Sequence, residues 1–346
     1  MKKLLLVVFL LIIIAGAYLA WIFLGPATAF KDDQKFLYIK SDSANKTAII
    51  HELNKGDYIH NQSAFNFLAG QMKYWNSIKP GKYKIEKGEN LLTIIRRLRN
   101  GQQSPVDLVI TRIRTKKNLA RLVANKFESD SIEMISFLNN ADSLANYGLT
   151  PETAMTVVLP NTYTYFWNST PSKIYRKLYT ESNKFWNDDR KEKAVQKGLT
   201  PQQAYILASI IEEETNAKTD KPNIASVYLN RMKIGMPLQA DPTVKFALQD
   251  FSIKRILHKH LEVESPYNTY RNLGLPPGPV TTPSLETIDA VLESPQTDYI
   301  YFVANSDFSG THIFTTNYND HLKYARQYQQ ALNKLELDRK VKQAVN

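Results

Sequence analysis

Residues 207–215, LASIIEEET, end an apolar run on three consecutive glutamates. Carboxyls are proton donors and acceptors, so the chemistry at stake is general acid–base work. Thr200, Pro201 and Gln203 form a helix start upstream: a capping hydroxyl, proline in the first turn and glutamine at the third helical position. At about 100° per residue with Leu207 as origin, Ala204, Ile210 and Ile211 lie within about 60° and define an apolar stripe. Glu212 and Glu213 fall about 140° and 120° away and are expected in solvent, whereas Glu214 lies about 20° from the centre. A carboxyl held among apolar groups resists ionisation, so its pKa rises toward neutrality, as a general acid requires. The alternative is a helix that frays after Ile211 and leaves Glu214 in water.

The next helical pattern, residues 222–234, repeats the arrangement. Ile224, Val227 and Tyr228 form its stripe, and Arg231 lies about 20° from the stripe's centre. A buried guanidinium needs a partner. Glu214 would be a poor one, because pairing would lower its pKa; Asp241 in LQADPTV, or Glu212, is expected instead, which casts Glu212 and Arg231 as structural support. Of six histidines only His258 and His260 are close in sequence, on an expected exposed turn or helix. No metal-ligand spacing, phosphate-binding glycine loop or G-x-S-x-G motif is present, so neither metal nor cofactor is expected.

The elements that must position these groups read as α+β. Residues 4–24 carry no charge and are long enough to cross a bilayer core of about 30 Å. Lys2 and Lys3 favour a cytoplasmic N-terminus, which puts the remaining chain outside the membrane. The segment reads as a retained transmembrane anchor, the alternative being a signal peptide cleaved after Ala17 or Ala29. Residues 1–24 are the cytoplasmic tip and anchor, and 25–35 a linker. Residues 36–104 are a small α/β unit, with a strand at FLYIK, a Pro-Gly turn, a strand at 82–85 and a helix from Asn90 to Gly101. Residues 105–199 are a mainly helical connecting region interrupted by the aromatic VLPNTYTYFWNST, which suits core, interface or a sugar groove. Residues 200–346 hold the densest signals, with Pro/Gly-rich loops after the two helices, a β-hairpin at 298–316 and a final helix near Asn319. Forty-four Lys and Arg against 33 Asp and Glu give a net charge of +11; outside a membrane this points to anionic headgroups or wall polymer, not nucleic acid. There are no cysteines, hence no disulfides or thiolate sites.

ASIIEEET, IASVYLNRMKIGMPLQADPTVKFAL, SPYNTYRNLGLPPGPVTTPS and YIYFVANSDFSGTHIFTTNYNDH occur in the order and spacing of the endolytic murein transglycosylases, the YceG-like family, which the chain resembles over nearly its whole length. PGKYKIEKGENLLTIIRRLRNG is similar to that family's LysM-like subdomain. The stretch LPNTY has Asn161 where the family pattern has Asp, and TRIRTKKNLARLV lacks its Pro-Glu-Gly. The resemblance implies a small LysM-like subdomain, a mixed α+β catalytic domain and a catalytic role for Glu214. It also implies non-hydrolytic cleavage of MurNAc–GlcNAc β-1,4 bonds with 1,6-anhydro ends, and Gln239, Asp241, Tyr267, Asn268, Tyr270 and His312 as candidates for lining the groove. Implied partners are peptidoglycan glycan strands, the membrane and peptidoglycan synthases; the implied location is the bacterial plasma (inner) membrane, single-pass, with the catalytic part extracytoplasmic. A non-enzymatic wall-binding protein and a hydrolytic muramidase are the competing readings.

Overall fold

The structure, a computed structural model, describes the backbone of residues 2–345 and the side chains of 3–337. Elements run in the order α1 (Lys2–Leu24), β1 (Gln34–Ile39), α2 (Lys46–Lys55), α3 (Gln62–Gln71), β2 (Gly81–Glu86), α4 (Leu91–Asn100) and β3 (Pro105–Ile110). There follow α5 (Lys116–Ala124), α6 (Ser131–Asn139), α7 (Ala141–Ala145), β4 (Asn161–Phe166), α8 (Pro171–Phe185), α9 (Asp188–Gln196), α10 (Pro201–Glu214) and α11 (Lys221–Lys233). The chain closes with α12 (Asp241–Leu248), α13 (His258–Leu261), α14 (Leu285–Leu292), β5 (Tyr301–Ala304), β6 (His312–Thr315) and α15 (Tyr318–Val345). The class is α+β, with an N-terminal apolar helix that is a candidate membrane span: residues 3–24 are long and apolar enough, and the most apolar stretch of it has no buried residue.

Two compact units form. One comprises the chain up to Leu108 with Leu122–Asp130 and Thr164–Pro171; the other comprises Val109–Arg121, Ser131–Tyr163 and the chain from Ser172 onward. Two segments of the stretch read from sequence as a connecting region, 122–130 and 164–171, thus pack with the first unit. In that unit β1 and β2 pair antiparallel, Phe36 facing Lys84. Leu37, Ile49, Phe65, Tyr83, Ile94 and Leu98 fill a core beneath them. The side chain of Asn90 caps α4 by accepting from the Thr93 amide, and Gly101 ends it in the left-handed conformation (φ 71°) that glycine adopts without strain. The aromatic stretch supplies core: Tyr163 and Tyr165 of β4 are buried.

Residues 25–35 are not a free linker. The Ala27 amide donates to Glu89 O (3.0 Å), the His60 amide to Ala27 O (2.9 Å) and the Gly88 amide to Thr28 Oγ1 (2.8 Å). Ala27 and Thr28 are buried, because Ile59 lies opposite as a β-bridge partner and small side chains fit beneath it.

The second unit is built around α10. Thr200 and Gln203 make the reciprocal capping box, with the Gln203 amide donating to Thr200 Oγ1 (3.2 Å) and the Thr200 amide to Gln203 Oε1 (2.8 Å). Residues 204–211 are all buried, and α11, α12 and α14 pack around them. Two of these, α12 and α14, occupy stretches read from sequence as loops. Each is eight residues long; Pro242 opens the first, and Ser284 caps the second by accepting from the Thr287 amide. The β5–β6 hairpin pairs Tyr301 with Thr315 and Ala304 with His312.

Candidate active site

Glu214 closes α10 on the side the helical wheel selects. Tyr228, on the adjacent α11, donates its hydroxyl to Glu214 Oε1 at 2.7 Å. Burial is the largest influence on this carboxyl and raises its pKa to about 7; the Asp241 charge adds to the rise, while the Tyr228 bond and the more remote Lys245 and Arg231 charges oppose it. Burial drives the Tyr228 phenol well above its ordinary pKa, so it remains a donor throughout the physiological range. Near neutrality Glu214 is therefore divided between acid and carboxylate, the condition for giving a proton and taking one back.

Its two neighbours are not solvated, as the wheel alone would have them. Glu213 is gripped by two arginines: Arg114 Nη2 lies 2.9 Å from Oε2, and Arg112 Nη2 lies 2.7 Å from Oε1. Arg112 also donates to the Glu212 carbonyl at 3.0 Å, which secures the last turn of α10. A strand-like zipper brings these arginines there. The Ile113 amide donates to Thr282 Oγ1 (3.0 Å), and the Thr282 amide to Ile113 O (2.8 Å). Glu212 accepts from Lys221 Nζ (3.0 Å), Ser284 Oγ (3.0 Å) and Thr287 Oγ1, joining α10 to α11 and α14. Burial alone would raise its pKa, but those three donors outweigh it and hold the carboxyl below its ordinary value. Both corrections have one physical cause: partners distant in sequence supply the charge that a wheel assigns to water.

Asp241 begins α12 and accepts from the Tyr270 hydroxyl at 2.6 Å. The loop carrying Tyr270 is docked through Thr269, whose carbonyl accepts from the Gln239 amide (3.1 Å) and whose hydroxyl accepts from the Ala240 amide (3.0 Å). Gln239 is exposed with φ 52°, an uncommon conformation for a residue other than glycine, beside the Asp241–Tyr270 pair. Asn268 does not line a groove. It is fully buried, its side-chain amide donates to Leu261 O and Val263 O (both 2.9 Å), and its Oδ1 accepts from the Tyr270 amide, so it shapes the loop from within. Tyr267 packs against Phe246 with ring centroids 4.6 Å apart and planes tilted by 39°, and lines a separate cavity. His312 binds Asp220 Oδ2 through its backbone amide (2.6 Å) and Nδ1 (3.0 Å), and reaches Tyr228 only through the ring of Phe302. The structure thus groups Glu214, Tyr228, Asp241 and Tyr270 electrostatically and hangs the remaining candidates around them.

Arg231 is buried, as its stripe position implies, but pairs with neither Asp241 nor Glu212. Its Nε donates to Ile300 O (2.7 Å) and its Nη1 to Leu238 O (2.7 Å), with the Tyr301 ring 5.4 Å away. Backbone carbonyls replace the expected carboxylate because the loop before α12 and the approach to β5 both turn their oxygens toward the end of α11. Arg231→Met is expected to lower unfolding stability by about 3 kcal/mol, since two buried carbonyls lose charged donors. Arg231→Lys should recover little, because a compact ammonium lacks the rigid fork whose Nε and Nη1 reach two separate carbonyls. Urea unfolding checks both, and a loss below about 1 kcal/mol in the Met variant would remove this role.

The sequence reading places Tyr228 on an apolar stripe without a role in the site, and gives Arg112 and Arg114 none. Tyr228 carries the polar tip on its own apolar stripe, and Arg112 and Arg114, two residues apart, share one side of an extended segment. Those were the available signals.

A sequence model of the YceG-like family matches residues 37–327. The chain belongs to the YceG-like family. It is 30% identical over 334 residues to the endolytic murein transglycosylase of Bacillus subtilis (strain 168), covering 92% of this chain and 91% of that protein. The endolytic murein transglycosylase of Streptococcus pneumoniae (serotype 2, strain D39) is 25% identical over 91% of this chain, which spans 62% of its length. A yceG-like protein from Listeria monocytogenes, known from a crystal structure, superposes with a TM-score of 0.55 at 26% identity, covering 85% of this chain and 99% of that one. In this YceG-like chain the matched span takes in every candidate residue discussed above, from Arg112 to His312.

Proposed function

We propose that the chain is a membrane-anchored endolytic lytic transglycosylase of peptidoglycan, with Glu214 as general acid and then base. The observation that carries this reading is a single carboxyl raised to about pKa 7 at the end of a buried helix, in a family whose curated relatives are endolytic murein transglycosylases. Protonated Glu214 donates to the oxygen of the β-1,4 bond between MurNAc and GlcNAc. As that C1–O bond breaks, the 6-hydroxyl of the muramic acid attacks C1, and the Glu214 carboxylate accepts its proton. One C–O bond breaks, one forms, the proton returns to the enzyme and no water is consumed. Tyr228 occupies Oε1, leaving Oε2 to exchange the proton. Hydrolysis by a carboxylate pair is the second reading, because Asp241 acts on Glu214 electrostatically. Against it, Asp241 is engaged by Tyr270.

Around that centre Gln239, Asp241, Tyr270 and Tyr267 are proposed to meet the glycan, His312 to border it, and Glu212 and Arg231 to hold the frame. Residues 36–104 are proposed to serve as the LysM-like binding or spacing module, a role supported by the core that β1, β2 and their helices enclose. Residues 200–346 form the catalytic core in this reading. Lys2 and Lys3 would remain cytoplasmic, the rest outside the plasma membrane, beside the synthases that extend new strands.

The test is mass spectrometry of products from purified glycan strands. Anhydro ends from the wild type alone, absent with Glu214→Gln, support the reading; free reducing ends make the enzyme a hydrolase; no cleavage by folded protein leaves a binding protein. A pH profile is a second check. Because the reactive form is the protonated carboxyl, kcat/KM should be flat in mild acid and fall above about pH 7. Asp241→Asn removes a charge that raises the Glu214 pKa, so the falling limb should move to lower pH; Tyr228→Phe removes a bond that lowers it, so the limb should move up. Limbs that stay in place in both variants would dissociate the profile from Glu214.

A further inference from the structure

A cavity of about 240 Å³ lies within the second unit and takes no part in the acid–base steps. Phe246 and Tyr267, their rings in tilted contact, form an aromatic part of its wall. The lining also includes Arg114, Lys116 and the exposed Lys117 where α5 begins, against one carboxylate, Glu152. Their charges are not equally available. Arg114 is committed to Glu213, Lys116 Nζ donates to Asn139 Oδ1 (2.8 Å), and Glu152 accepts from the Thr150 hydroxyl (2.8 Å). Among the described residues neither the Lys117 ammonium nor the Tyr267 hydroxyl has a hydrogen-bond partner.

The lysines are misplaced for stability. The first turn of α5 contains no acidic residue and two cations, where the helix dipole favours the opposite sign. The cavity is also tied to the candidate centre. Arg114 both lines it and grips Glu213, the neighbour of Glu214, and α12 carries Asp241 at its start and Phe246 in the cavity wall. An apolar wall, a free hydroxyl and a free ammonium together suit an aliphatic chain that ends in a carboxylate.

We propose that this cavity receives a carboxylate of the peptide stem borne by the glycan strand, Lys117 pairing with its charge, Tyr267 donating its hydroxyl, and the Phe246–Tyr267 wall covering the aliphatic part. The inference rests on the peptidoglycan reading above and adds a recognition element to it: in such a strand the N-acetylated sugars are neutral and the stems carry the acid groups. The site makes cleavage sensitive to the state of the stem beside the cut bond.

Binding tests this apart from cleavage. The full chain in detergent micelles is titrated calorimetrically with an N-acetylmuramyl tetrapeptide, which holds no bond to cut, and with the same peptide whose carboxylates are amidated. Amidation should weaken binding to the wild type about tenfold, and Lys117→Met should weaken binding of the free acid to a similar degree. Combining the two should cost no more than either alone, since both delete one ion pair. Tyr267→Phe should weaken the free acid several-fold. Losses that multiply, or free acid and amide binding alike to the wild type, would overturn the stem site. Either result leaves Glu214-dependent cleavage to stand or fall on the product analysis, so the two readings fail separately.

Discussion

Glu214→Gln should abolish glycan cleavage and at the same time make the protein more stable above neutral pH. General acid or base assistance is worth about 10²–10⁴-fold, and here one carboxyl is asked for both, so a loss of at least about 10³-fold is expected. The stability gain follows from the carboxyl's proton affinity. A folded-state pKa of about 7 against an ordinary 4.5 means that the folded protein holds this proton more tightly than the unfolded chain. Its contribution is complete below about pH 4.5 and is lost as pH rises through about 7, a cost of about 3 kcal/mol at about 1.4 kcal/mol per tenfold. Glutamine carries no such charge and still accepts from Tyr228, though more weakly than a carboxylate, by about 1 kcal/mol. The variant should gain about 2 kcal/mol at pH 8, and the gain should vanish by about pH 4. Strand cleavage and urea unfolding across that range measure the two halves. A Gln variant that cleaves at a tenth of the wild-type rate or better would end the catalytic assignment; an equal loss of stability and activity would reduce Glu214 to a structural part.

Lys221→Met should produce the largest loss of stability, about 3–5 kcal/mol. Lys221 is buried, with its ammonium 3.0 Å from Glu212 Oε2 and 2.6 Å from Thr287 Oγ1. Removing it strands a shielded carboxylate between two hydroxyls, and Glu212, now below its ordinary pKa, should move up. In the wild type a depressed pKa contributes stability that is present above about pH 4.5 and is lost as pH falls through the folded-state value. The deficit of the variant should therefore be largest near neutrality and shrink in acid. Adding Glu212→Gln removes the stranded charge and should restore part of the loss. A deficit below about 1 kcal/mol, or one indifferent to pH, would mean that the pair does not hold α10 against α11 and α14.

Local order was readable and long-range partnership was not. Thr200 with Gln203, and Asn90 with Gly101, announce helix ends because caps act over three or four residues. The 3.6-residue period placed Glu214 and Arg231 on buried faces for the same reason. It could not say that Glu213 meets Arg112 and Arg114, about a hundred residues earlier in the chain, or that Arg231 ends on backbone carbonyls, which leave no trace in side-chain type. The helices α12 and α14 are too short for periodicity to separate from loop, and their cap signals stand among prolines that also mark turns. Asn268 shows the limit of residue type: an amide suited to a sugar is equally suited to a loop's own carbonyls.

The hydrogen bonds that pin residues 27–29 to the strand-and-helix unit begin three residues after α1 ends, and Phe23 of α1 stacks on Phe67 of α3 with centroids 6.2 Å apart. If α1 is held in a bilayer, that unit has almost no slack with which to rise from it. A flexible tether of n residues lets its cargo explore a volume that grows with n; a pinned one leaves rotation about the anchor and lateral diffusion. The search this unit makes for its partners is then two-dimensional, over a thin layer of fixed height.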